Sequence, residues 1–89
     1  MTYHTRKFLN SKQGIAAIEC SAEMSTKWCD IGVKITDCNR MVNLDFDFSD
    51  AKGYREKRTK LALLINELDA LLDHIDNKMA DPAFKKGMK

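Results

Sequence analysis

Met41-Val42-Asn43-Leu44-Asp45-Phe46-Asp47-Phe48 decides how this chain is read. Val42, Leu44, Phe46 and Phe48 point to one side of an extended backbone, and Asn43, Asp45 and Asp47 point to the other. Strict period-two alternation of this kind marks a strand with one face in a core and one in water. The same pattern runs backwards along the chain. Over 27–37, Cys29, Ile31, Val33 and Ile35 alternate with Trp28, Asp30, Gly32, Lys34 and Thr36. Over 14–24, Ala16, Ile18, Cys20, Ala22 and Met24 alternate with Ile15, Ala17, Glu19, Ser21 and Glu23.

Registers follow from these sets. A two-residue turn at Ser25-Thr26 pairs Cys20 with Ile31 and Ile18 with Val33. A second at Asn39-Arg40 pairs Val33 with Phe46 and Ile35 with Leu44, and sets Lys34 facing Asp45 across the hairpin. All the apolar sets then share one face, which a slip of one residue would destroy. A first strand over about 2–9, with a turn at 10–14, completes a meander of three to four antiparallel strands. The adjacent pair Phe8-Leu9 leaves its facing open.

A helix is expected over about 50–79. Ser49 or Asp50 can cap its start, Gly53 suggests an irregular first turn, and Asp81-Pro82 ends it. At about 100° per residue, Tyr54, Leu61, Leu64, Ile65, Leu68, Leu71, Leu72, Ile75 and Met79 form one broad stripe. The one-sided sheet offers that stripe a partner. The expectation is therefore a single α+β domain over 1–89, an antiparallel meander packed on one face against a long C-terminal α-helix, with a loose basic tail at 80–89. The helix charges run against its dipole. Lys52, Arg55, Lys57, Arg58 and Lys60 crowd its beginning, whereas Glu67, Asp69, Asp73 and Asp76 fill its second half.

The composition is that of an ordinary globular domain: 89 residues, 44% hydrophobic and 31% charged, with a net charge of +2 that is too small to imply nucleic acid by itself. No apolar run reaches the roughly 18 residues of a membrane span. The first residues carry no secretory pattern. With the odd set Cys20, Cys29 and Cys38, this leads to the expectation of reduced thiols and a cytoplasmic location.

Chemistry-bearing motifs are missing. There is no glycine-rich phosphate loop, no Cys-x-x-Cys, no His-Glu-x-x-His and no Gly-x-Ser-x-Gly. His4 and His74 belong to different elements, and Cys20 and Cys29 sit on the core side as small hydrophobes. Asp69, Asp73 and Asp76 share a helix edge, which reads as a solvated acidic border. No catalytic residue, cofactor or metal is therefore expected.

Binding is the remaining class. Trp28, set among Glu19, Glu23, Asp30, Asp45 and Asp47 on the polar sheet face, is the candidate anchor for a protein partner, because tryptophan is enriched at interface hot spots. Ile15 is a second apolar residue on that face. Leu63, Ala70 and His74 line the back of the helix as a candidate homo-oligomer seam. Small motif-free proteins of this type are common among phage and mobile-element products, and the expected role is an inhibitor that masks a host enzyme or defence complex. The alternative is a single-stranded nucleic-acid module using the basic patch Lys52, Arg55, Lys57, Arg58 and Lys60. Four antiparallel strands followed by a helix form an element order that resembles the single-strand-binding transcriptional coactivators, and the resemblance implies that activity. Against it, the polar sheet face is rich in carboxylates, where such binders need cations and stacking aromatics.

Overall fold

A computed structural model describes residues 1–9 and 16–87. The expected turn at 10–14, Ile15 and the last two residues of the tail lie outside them. Strands β1 (Thr2–Phe8), β2 (Ala16–Met24), β3 (Cys29–Asp37) and β4 (Arg40–Asp45) form one antiparallel sheet in the order β1-β2-β3-β4. Helix α1 (Ala51–Met79) follows, then a short α2 (Pro82–Gly87) within the stretch expected to be a loose tail. The chain is thus α+β: a four-stranded antiparallel meander and a long helix. Two compact units can be distinguished, Met1–Arg58 and Thr59–Lys89.

Both expected hairpin registers are displaced by two residues. In the sheet Cys20 stands opposite Val33 and Ala22 opposite Ile31, because residues 25–28 form a longer loop than a two-residue turn. Likewise Val33 pairs with Leu44 and Ile35 with Val42, because the turn falls on Cys38-Asn39. Cys38 adopts φ 56°, the left-handed value that a primed hairpin turn requires at its first central position. A displacement of two keeps every side chain on its side, so the apolar face survives intact. Lys34 consequently faces Asn43, not Asp45, and Asp45 faces Gly32.

Strand β1 settles the facing that Phe8-Leu9 left open. Thr5 opposite Cys20 and Lys7 opposite Ile18 place Tyr3, Thr5 and Lys7 on the apolar side. His4, Arg6 and Phe8 therefore join Glu19 and Ser21 on the polar side. Among the described residues the buried hydrophobic side chains are Ala16, Ala17, Cys29, Val33 and Phe46. Phe46, at 2% exposure, is the largest of them.

Strand β4 ends earlier than its alternation suggests because Asp47 intervenes. Phe46 N–H donates to the Ile31 carbonyl at 2.8 Å, but the Ile31 N–H donates to Asp47 Oδ1 at 2.6 Å. A side-chain carboxylate thus replaces one rung of the ladder. Pairing then resumes at the bridge between Cys29 and Phe48.

The chain turns into α1 through Asp50. Its Oδ1 accepts from the Gly53 N–H at 2.6 Å, the geometry of an N-cap, and its carbonyl accepts from Tyr54 N–H at 3.0 Å. Gly53 sits inside the regular helix. A Cβ there would come within 2.9 Å of Asp50 Oδ1 and 3.1 Å of Phe48 Cβ, so a side chain at this position would press on the capping carboxylate. Phe48 and Tyr54 stack edge to face across this corner, with ring centroids 5.4 Å apart.

The apolar stripe of α1 is unevenly covered. Leu61 and Leu64 are half-buried, whereas Ile65, Leu68, Leu71, Leu72 and Ile75 are 48–57% exposed.

Phe46→Ala should therefore cost about 3–5 kcal/mol, the range for emptying a buried phenylalanine site, read as a fall in the urea midpoint of the sheet signal. A loss below about 1 kcal/mol would mean that Phe46 is not the keystone of the core.

Candidate binding surfaces

Trp28 is not a strand residue. It belongs to the β2–β3 loop, whose shape is held by Ser25. The Ser25 Oγ accepts from the N–H groups of Lys27 and Trp28 at 3.1 Å each, and the Ser25 N–H donates to the Trp28 carbonyl at 2.9 Å. Serine hydroxyls stabilise tight turns by this kind of local bond. The backbone that carries Trp28 is thus already ordered when a partner covers the side chain.

The loop forms one wall of an open recess of about 300 Å³, and the corner into α1 forms the other. Trp28, Cys29, Phe48, Asp50 and Tyr54 line it. Trp28 is 43% and Tyr54 47% exposed. Sequence reasoning grouped Trp28 with the carboxylates of the sheet and missed this aromatic company. The signal was Ser25, whose hydroxyl extends the turn expected at Ser25-Thr26 so that it takes in Lys27 and Trp28.

The polar sheet face carries a second depression, of about 340 Å³. Ser21 and Gly32, opposite one another, leave room at the centre of this depression, while His4, Glu19, Lys34, Asn43 and Asp45 stand around them. Glu19 lies 3.6 Å from Lys34 Nζ and 3.4 Å from His4 Nε2, so it is flanked on both sides by nitrogen donors. Both contacts are partly solvated and contribute little to stability. Glu23 stands opposite Asp30, and Asp47 is engaged with Ile31. Among the five carboxylates expected to surround Trp28, Glu19 and Asp45 line the depression, and Asp47 is in part a structural group. With His4, Arg6 and Lys34 on the same side, the face has mixed charge. Arg6 lies 5.2 Å above the Phe8 ring, a cation–π contact at the sheet edge.

The five cations at the start of α1 do not share one face. At about 100° per residue, Lys57 falls on the apolar side, where it is half-buried. Arg58 lies on one edge of the stripe and Lys60 on the other, while Arg55 and Lys52 fall further round, toward the back. Leu63, Ala70 and His74 also lie on the back and are exposed.

The thiols are free: Cys29 is buried, Cys20 half-buried and Cys38 exposed in its turn. Among the described residues no group of three potential ligands could hold a metal ion, and no helix is long and apolar enough to cross a membrane. No family model, curated protein or solved structure matches this chain.

Ser25→Ala should loosen the loop without unfolding the sheet. Trp28 is the only tryptophan, so its fluorescence reports the change directly. Acrylamide quenching should rise and fluorescence anisotropy fall while the far-ultraviolet circular dichroism stays constant. Unchanged quenching would show that the Ser25 bonds do not hold Trp28.

Proposed function

We propose that this chain is a non-enzymatic binding protein that acts by covering a protein partner, with Trp28 as its anchor. The observation that carries the reading is the pairing of an exposed Trp28, fixed by the Ser25 turn, with Tyr54 across an open recess. Rigid aromatic side chains offer large contact area at small entropic cost, and such residues dominate interface energetics. Asp50 on the rim and the mixed-charge groove around Glu19 and Lys34 supply polar groups that would fix a partner's orientation.

One observation favours a second reading, a single-stranded nucleic-acid binder. Strand β1 brings His4, Arg6 and Phe8 to the polar face, and Phe8 is 58% exposed beneath Arg6. A base could stack there. The carboxylates on the same face work against a phosphate backbone.

Two measurements separate the readings. Immobilised wild type and Trp28→Ala are compared in quantitative capture from the native cells, and labelled oligonucleotides are titrated by anisotropy at low and moderate salt. The expected result is a protein partner whose binding weakens by about 2 kcal/mol or more, roughly thirtyfold, in Trp28→Ala, with no oligonucleotide binding. Salt-sensitive oligonucleotide binding that is lost on reversing Arg6, or Arg55 with Arg58, would replace the first reading by the second.

A further inference from the structure

Resting on the reading of Trp28 as a partner anchor, we infer that its recess receives a proline-rich segment of that partner in the polyproline II conformation. The walls are set within one unit of the chain. Trp28 on the β2–β3 loop, and Phe48 and Tyr54 at the corner into α1, all belong to Met1–Arg58. Trp28 and Tyr54 are nearly half exposed, so their rings are open to a guest. Phe48 meets Tyr54 edge to face, which steadies that ring.

Size and backbone pairing exclude the other common forms of bound peptide. An added strand needs an open sheet edge. Here Cys29 and Phe48 spend their N–H and carbonyl groups on each other, at 2.8 and 3.0 Å, and the Ser25 N–H is spent on Trp28. A helix is about 10–12 Å across with its side chains and needs a groove several turns long. A recess of about 300 Å³ holds no such length. A polyproline II segment is narrow and makes no internal hydrogen bonds, so its carbonyls arrive unpaired. The lining offers donors to meet them: the indole N–H of Trp28, the Tyr54 hydroxyl, the Lys27 ammonium and the Thr26 hydroxyl. Asp50, the one carboxylate among the described lining residues, already accepts from the Gly53 N–H. Proline rings pack on flat aromatic faces, the mode by which aromatic-lined grooves read such segments. Their preformed backbone also loses little freedom on binding, which suits a small contact.

Aromatic faces attract cations too, and the same lining argues against that guest. Lys27 repels a second cation, and the recess opens on Ala51, the first residue of α1, where the helix dipole is positive.

Trp28 is the only tryptophan and lines the recess, so its emission reads occupancy directly. Titration of the full chain with a blocked decaproline peptide should change that emission saturably, with a dissociation constant below about 1 mM. Glycine–serine and trimethyl-lysine peptides of equal length should change nothing. Tyr54→Ala should weaken decaproline binding at least about tenfold. Tyr54→Phe keeps the ring and its packing on Phe48, and should weaken binding roughly threefold through the lost donor. Far-ultraviolet circular dichroism checks that each variant is folded. No emission change up to about 5 mM decaproline, an equal response to either control peptide, or full binding by Tyr54→Ala would each overturn the inference. Failure of the anchor itself reads differently. A Trp28-dependent partner that saturating decaproline does not displace would remove the proline segment alone, whereas a partner captured equally by Trp28→Ala would remove anchor and segment together.

Discussion

One constraint organises the sheet: β2, β3 and β4 must all turn their branched and aromatic side chains to the same side. Val33 opposite Leu44, Ile35 opposite Val42 and Cys20 opposite Val33 satisfy it, and Phe46 completes the face. The polar face is its by-product. Glu19, Lys34, Asn43 and Asp45 come together because their neighbours in sequence face the other side. The same constraint explains Asp47, which points away from the apolar side and is free to accept the Ile31 N–H that the backbone leaves unpaired.

Much of this was legible in the residues. Alternation from Ala16 to Phe48 identified the strands, their order and the sidedness of the sheet. Asp50 and the 3.6-residue period of Leu61–Ile75 identified the helix. The turns were not legible, because neither carries asparagine–glycine chemistry. Cys38 takes a left-handed conformation that its type does not announce, and Ser25 closes a four-residue loop by hydrogen bonds invisible to a hydropathy pattern. Both errors displaced the register by two, the smallest error that leaves the faces unchanged. The candidate site was more sensitive. Moving Trp28 from a strand to a loop removed it from the row of carboxylates and set it beside Phe48 and Tyr54.

The helix shows where local and larger-scale requirements part. Its cap is well made, yet its charges oppose its dipole and much of its stripe is exposed. A helix built only for its own stability would carry aspartates first and lysines last. Here the sequence accepts a local cost, and such inconsistencies in natural chains concentrate where a contact with another molecule compensates.

The strand register underlies the polar groove and the recess beside Trp28, so its direct test is a cross-strand nuclear Overhauser measurement on the β3–β4 hairpin. The Phe46–Ile31 hydrogen bond marks that pair as a bonded one, and pairs alternate along an antiparallel ladder. Lys34 and Asn43 then form a close non-bonded pair, with Cα atoms about 4.5 Å apart, and their Hα protons should give a strong contact. A strong contact between Lys34 and Asp45 instead would show the other register and would displace the groove, the Asp47 rung and the corner that carries Tyr54.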